Sequence, residues 1–244
     1  MHYGMAKRYN VMFLRTHPGV QATMSEREIM EYDVIIVGAG PAGLSCAIRL
    51  KQKKPDLMIA VIEKGSEVGA HILSGAVIEP GPLDELLPGW KDNPPPVCIP
   101  VEKDEIWLLS KTGRRRLPTP PQQKNHGNYI VSLGAMCAWM AEQAEALEID
   151  IFPGYAAADI HYTEDGSVGG VIIGEMGVGR DGQPKDTYMQ GIEIQAPVTV
   201  LSEGVRGHLS KQLIGKFELD KDSDPQTYGI GMKELWRVQP GKSK

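Results

Sequence analysis

The stretch Asp33-Val34-Ile35-Ile36-Val37-Gly38-Ala39-Gly40-Pro41-Ala42-Gly43-Leu44 opens with a short β-branched apolar run and passes through three spaced glycines. The run is too short and too uniformly apolar for an amphipathic helix and reads as a strand buried on both faces. Beyond the glycines, Leu44, Ala47, Ile48 and Leu50 recur at helical spacing. Pro41 suits the first turn of that helix, where its missing N–H costs no hydrogen bond, and Lys51 to Pro55 supplies a basic end and a stop. Leu57 to Ile62 is a second buried strand. Strand, helix and strand within roughly thirty residues form a βαβ unit with parallel strands and a right-handed crossover.

Taken alone, Gly38-x-Gly40-x-x-Gly43 carries little weight in a chain with 28 glycines. Its setting raises it, because it follows a strand, opens a helix and is answered by Glu63, 20 residues after Gly43 (63 − 43), at the end of the next strand. That is the dinucleotide-binding arrangement. Gly38 permits the tight turn, Gly40 lets backbone amides approach a pyrophosphate, and Gly43 allows helix and strand to pack closely, with Pro41 and Ala42 completing the helix start. The helix amino end meets the phosphate charge with free N–H groups and its dipole. Glu63 accepts hydrogen bonds from a ribose and disfavours a 2′-phosphate. The following Lys64 to Ala76 has no helical period, whereas a nicotinamide domain would wind into another helix here. Such a loop fits a flavin domain that runs back along extended FAD, with Lys64, Ser74 and Gly75 beside the cofactor.

Further along, residues 79–128 are rich in proline and read as irregular structure with one strand at Ile106 to Leu109. Leu133 to Leu147 restores helical spacing, and Ile149 to Phe152 reads as a strand. Ala156 to Ile194 is punctuated by Glu164-Asp165-Gly166-Ser167 and Arg180-Asp181-Gly182-Gln183, the turn signals of an antiparallel meander. A last parallel strand is expected at Val198 to Leu201, ending in Ser202-Glu203-Gly204, with Glu203 and Gly204 beside the ribityl chain.

Composition excludes several classes. With 26 Lys+Arg against 31 Asp+Glu the formal charge is 26 − 31 = −5, so no nucleic-acid partner is indicated. No run approaches the 18 or so apolar residues of a membrane span, although attachment to a bilayer surface needs much less. Cys46, Cys98 and Cys137 are 52 and 39 residues apart, matching neither a disulfide framework nor a zinc ribbon. Three is one short of the four thiolates of an all-cysteine iron–sulfur cubane. The histidines are not spaced as metal ligands, and no catalytic side chain is assigned. Arg114-Arg115-Arg116 is the one dense basic cluster, suited either to anionic headgroups or to a solvated loop. Residues 1–30, with Lys7, Arg8 and Arg15 and no acid among the first 25, read as an extension outside the fold.

Longer strings carry a family likeness. Ala70-His71-Ile72-Leu73-Ser74-Gly75-Ala76, Asn125-His126-Gly127-Asn128-Tyr129-Ile130-Val131, Glu142-Gln143-Ala144-Glu145-Ala146-Leu147, Pro153-Gly154-Tyr155-Ala156-Ala157-Ala158, Glu203-Gly204 and Pro225-Gln226-Thr227-Tyr228-Gly229-Ile230-Gly231 occur in order. The chain resembles electron transfer flavoprotein-ubiquinone oxidoreductase from about Tyr32 to Trp236. The resemblance implies a glutathione-reductase-type FAD domain, a ubiquinone domain at the membrane surface and a [4Fe-4S] domain. It implies electron transfer flavoprotein and ubiquinone as partners. The cluster ligands of that family lie in a C-terminal region that this sequence does not contain, so the chain reads as the N-terminal, FAD-binding part.

The expected fold is therefore α/β: a Rossmann-like parallel sheet with a β-meander and a partial second domain. Residues 31–78 form the βαβ unit and return loop, 79–128 an excursion toward quinone and membrane, 129–215 the remainder of the FAD domain, and 216–244 the start of a quinone domain entered by a strand from Tyr228 to Trp236. The expected location is peripheral, on the cytoplasmic face of a bacterial inner membrane or the matrix side of the mitochondrial one. Two alternatives stand beside this reading: an NAD(P)H-dependent flavin monooxygenase or isoprenoid reductase on the same scaffold, and a FAD-binding module without activity of its own.

Overall fold

The computed structural model describes residues 27–73, 75–179, 181–232 and 239. Lys7, Arg8, Arg15, Ser74, Arg180 and Trp236 lie outside the described residues.

Elements are numbered in chain order. Four parallel strands form the central sheet in the order β15 (Val198–Leu201), β2 (Val34–Val37), β3 (Ile59–Glu63) and β9 (Asp150–Pro153). β2 has a partner on each side, with Ile36 in register with Val61 and with Val200. Because side chains alternate across a strand, β2 and β3 feed two cores. Val34, Ile36, Ile59 and Val61 face the helices α1 (Pro41–Lys53) and α3 (Leu133–Glu145). Ile35, Val37, Ala60 and Ile62 face an antiparallel layer. That layer contains β10 (Ala157–Tyr162), β11 (Val168–Ile173) and β14 (Glu193–Gln195), with β1 (Ile29–Glu31) added parallel to β14. Burial on both faces explains why the strands read as continuous apolar runs.

Local chemistry sets the boundaries. Helix α1 ends where Lys54 N–H donates to the Leu50 carbonyl, and Lys51 Nζ reaches forward to the Leu57 carbonyl (2.8 Å), fixing the turn into β3. In the meander, Gly166 (φ +85°) and Gly182 (φ +79°) occupy left-handed positions. The neighbouring aspartates close those turns, Asp165 accepting from Ser167 N–H and Asp181 from Gln183 N–H. The second of these turns lies between β12 (Met176–Val178) and β13 (Pro184–Met189), a hairpin carried by the meander.

Three expectations need correction. Residues 79–128 are less irregular than their prolines suggest. Pro80 and Pro82 lie in the first turn of α2 (Pro80–Leu86), where proline is tolerated. Leu83, Leu86 and the nearby Trp90 enter the helix-side core. β4 (Ala76–Ile78), β5 (Cys98–Pro100) and β8 (Tyr129–Val131) form a second sheet ordered β4-β8-β5, and β6 (Ile106–Leu109) pairs with β7 (Arg114–Leu117) in a hairpin. The arginine cluster is thus strand rather than loop. The fold also begins before residue 31, since β1 docks on a strand far away in the sequence, too short for periodicity to reveal it. Finally, α4 (His208–Phe217) follows the last parallel strand, while residues 228–232 are without regular structure and 233–236 lie outside the described residues.

Ile36 is fully buried between β3, β15 and the helix layer. Ile36→Ala removes three carbons from a site with little freedom to collapse and is expected to cost about 2–5 kcal/mol. Urea unfolding checks this: the midpoint should fall with an unchanged slope, and a loss below about 1 kcal/mol would contradict the packing described.

Candidate functional site

All four central strands point the same way, so Val37, Glu63, Pro153 and Leu201 end on one rim of the sheet. The chain leaves β2 toward β3 on one side and returns as β15 on the other. The rim above β2 is consequently a switch in strand order, the place where open α/β sheets bind ligands.

The three glycines occupy this rim in different ways. Gly38 has φ +106°, and a Cβ there would stand 2.4 Å from the Ser202 carbonyl oxygen. A Cβ on Gly43 would lie 2.0 Å from the Gly38 carbonyl oxygen, so the first turn of α1 sits directly on the end of β2. Gly40 differs: a Cβ there meets nothing within 4 Å. Its surface faces open space. Pro41 and Ala42 beside it are exposed. No side chain caps α1, and its first turn contains no acid. Open backbone at a helix amino end is an anion seat, and the residues present fit a bound pyrophosphate.

Glu63 serves the same rim. Ala39 N–H donates to its Oε2 (3.0 Å) and Gly65 N–H to its Oε1 (2.7 Å). A carboxylate has about four acceptor sites, so two backbone bonds leave capacity for ribose hydroxyls while fixing the group. Ala39 and Gly65 were not singled out by sequence, although each flanks a residue that was. The buried Cys137 on α3 feels this carboxylate: burial, then the Glu63 charge, pushes its thiol up to about 11. Lys64 and Gly75 are exposed, and Ser74 lies outside the described residues. The loop after Glu63 is anchored where Gly69 (φ +88°) meets α3, a Cβ on Gly69 falling 2.3 Å from the Gly134 carbonyl oxygen. Gly154 N–H, just after β9, donates to the Gly65 carbonyl (2.6 Å).

The carboxylate of Glu203 is directed at the amino end of α4. Its carboxylate accepts from His208 N–H (2.8 Å), Leu209 N–H (3.0 Å), Ser210 N–H (2.8 Å) and the Ser210 hydroxyl (2.7 Å). It caps the amino end of α4, and the adjoining Gly204 is exposed at φ +81°. The signal was the spacing of Leu209 and Leu213 behind an acid and two glycines. Among the described residues no group of three or more His, Cys, Asp or Glu is placed to hold a metal. No helix there is long and apolar enough to cross a membrane.

The Thi4 family model matches residues 20–79. The chain is 51% identical over 228 residues to the electron transfer flavoprotein-ubiquinone oxidoreductase of Pseudomonas aeruginosa, covering 90% of this chain and 41% of that protein. It is 49% identical over 219 residues to the mitochondrial protein of that name from Homo sapiens, covering 87% and 36%. It thus spans about two-fifths of the length of the curated relatives it matches. Among solved structures it is similar to a geranylgeranyl bacteriochlorophyll reductase-like protein of Thermoplasma acidophilum, with TM-score 0.53 at 20% identity over 75% of this chain and 42% of that one. A second likeness is to the myxobacterial FAD-dependent halogenase CndH, with TM-score 0.50 at 12% identity over 75% and 39%. These likenesses are of fold: α/β, Rossmann-like, with a parallel sheet.

Burial opposes ionisation of Glu203, but the Ser210 hydroxyl and the amides of Ser210, Leu209 and His208 outweigh it and hold its carboxyl below the ordinary glutamate value. The stabilisation it contributes is present above that ordinary value and is lost as pH falls through the depressed one. Glu203→Gln is therefore expected to lower stability at neutral pH and to flatten its decline on the acid side. Thermal unfolding of both forms across pH 3 to 7, on the order of the glutamate range, measures this, and parallel curves would refute it.

Proposed function

We propose that this chain, which belongs to the electron transfer flavoprotein-ubiquinone oxidoreductase family and spans about two-fifths of its relatives' length, binds FAD as the flavin portion of an electron path from electron transfer flavoprotein to ubiquinone. The observation that carries the reading is the open backbone at Gly40 above the switch point, with Glu63 fixed beside it. Bound FAD would supply the redox chemistry, and the protein supplies position and electrostatics. Gly40, Ala42 and Gly43 present the amino end of α1 to the pyrophosphate. Glu63 holds the adenosine ribose. Lys64, Ser74 and Gly75 belong to the segment returning along the cofactor, and Gly204 with the Glu203 backbone lies on its other side.

The [4Fe-4S] group expected of the family does not fit this chain. Cys46, Cys98 and Cys137 stand on α1, β5 and α3, and burial raises each thiol above its ordinary value, the reverse of what a thiolate ligand needs.

A peripheral membrane location is supported by the β6–β7 hairpin. Leu108 and Leu109 are largely exposed there and stand opposite Arg115 and Arg114. Exposed leucines beside arginines suit an anionic lipid surface, each basic residue being worth about 1 kcal/mol near it. Whether that surface is the cytoplasmic face of a bacterial membrane or the matrix side of a mitochondrial one follows the source of the chain.

Gly40→Val places a branched side chain over the pyrophosphate seat without meeting protein. The variant is expected to fold normally and lose FAD on purification, read from flavin absorbance per chain. Glu63→Ala should weaken FAD by about 1–3 kcal/mol, the scale of hydrogen bonds to a charged group. Full flavin occupancy in the first variant, or a dissociation constant within about twofold of the parent in the second, would sink the assignment.

Replacing Arg114, Arg115 and Arg116 together with glutamate should abolish sedimentation with vesicles containing anionic phospholipid and leave the absence of binding to neutral vesicles unchanged. Equal binding of parent and variant would remove the hairpin from the membrane contact.

A further inference from the structure

At the base of the β6–β7 hairpin lies a cavity of about 350 Å³, bounded by Ile106 at the start of β6 and by the chain that follows β7. That is near the low end of the roughly 300–1,000 Å³ of small-molecule sites. It is too small for a whole lipid and roomy enough for one headgroup. Its walls are rich in acceptors: the carboxylates of Asp104 and Glu105, the hydroxyl of Thr119 and the amides of Gln122 and Gln123. Acceptors select a primary ammonium, which brings three N–H donors to be satisfied. A quaternary choline brings none and is held instead by the faces of aromatic rings, and a phosphate calls for cationic donors.

The two carboxylates differ in what they already hold. Glu105 is paired with Lys103 and with Arg116, whose Nη1 stands 3.4 Å from its Oε1. Asp104 accepts only from Asn125, from the backbone N–H (2.7 Å) and from Nδ2 (2.9 Å), and these neutral donors leave its charge uncompensated. The same bonds, the side-chain one first, hold its carboxyl below the ordinary aspartate value, so it is ionised at neutral pH. A carboxylate has about four acceptor sites, and two of them remain for a ligand. Arg116, through its contact with Glu105, brings a guanidinium beside the same cavity, suited to a phosphate joined to that ammonium. A separate observation selects a lipid as the source: Leu108 and Leu109, on the same strand as Ile106, are 58% and 73% exposed and suit acyl chains, which soluble phosphoethanolamine lacks. We propose that the cavity at the base of the β6–β7 hairpin seats the ammonium of a phosphatidylethanolamine headgroup, with Asp104 as its acceptor and Arg116 beside its phosphate. The proposal rests on the membrane reading of that hairpin and adds to it a choice of lipid.

The test is sedimentation of this chain with two kinds of vesicle of equal anionic content, phosphatidylglycerol in phosphatidylcholine and the same with phosphatidylethanolamine replacing part of the phosphatidylcholine. The parent is expected to bind the ethanolamine vesicles about fivefold more tightly, the upper end of what one partly screened ion pair gives. Asp104→Asn keeps the shape of the side chain and should bring the two affinities together. The comparison is a ratio within each protein, so any change in attraction to phosphatidylglycerol cancels. Soluble phosphoethanolamine should displace the parent from the ethanolamine vesicles, and phosphocholine at the same concentration should not. This competition needs no variant and decides the matter should Asp104→Asn fold poorly. Equal affinity of the parent for both vesicles, the same ethanolamine gain in Asp104→Asn, or displacement by both soluble headgroups alike would overturn the seat and leave the hairpin on the membrane. No binding to either vesicle would overturn the hairpin reading and the seat together.

Discussion

The carbonyl of Gly38 and the α-carbon of Gly43 stand so close that one added methyl group would lie 2.0 Å from the oxygen. This contact seats the first turn of α1 on the end of β2, and the rest of the rim takes its position from it. Gly38 N–H is held by the Ile62 carbonyl and Ser202 N–H by the Val37 carbonyl, so β3 and β15 are tied to the same corner. Glu63 then bridges the corner through Ala39 and Gly65. A side chain at Gly38 or Gly43 would push these pieces apart, whereas one at Gly40 would only fill the space they enclose.

Two helix amino ends near the rim are treated in opposite ways. At α4, Glu203 satisfies three backbone amides and the Ser210 hydroxyl, and Gly207 leaves room for the carboxylate: a Cβ there would stand 2.6 Å from Oε2. At α1 no side chain intervenes. Free amides at a helix end favour an anion, and the protein itself supplies one at α4 only. The difference identifies which end is available to a phosphate more sharply than the glycine pattern does.

The central sheet was legible because every residue of Val34–Val37 and all but the last of Ile59–Glu63 is buried, and burial on both faces leaves a dense apolar signal. Gly38 and Gly43 were legible because the turn leaves no room for a side chain at either, and Glu63 because it closes the next buried strand. What escaped was decided by distant partners. β1 is three residues long and makes sense only against Glu193–Gln195. α2 hid behind prolines that a helix start accepts. Glu203 could be placed at a strand end, but the direction of its carboxylate depends on α4, a helix of only 10 residues whose apolar spacing is too brief to stand out.

The pairing of β15 with β2 has a consequence for biosynthesis. Val34 pairs with Val198, 164 residues later (198 − 34), and Ile29 with Glu193 at the same separation (193 − 29). At about 5–20 residues per second, a ribosome needs roughly 8 to 33 seconds to deliver those partners. Until then β2 has an uncovered edge, and unpaired apolar edges are templates for wrong association. The nascent βαβ unit therefore carries that unpaired edge throughout the interval, and slower translation lengthens its exposure.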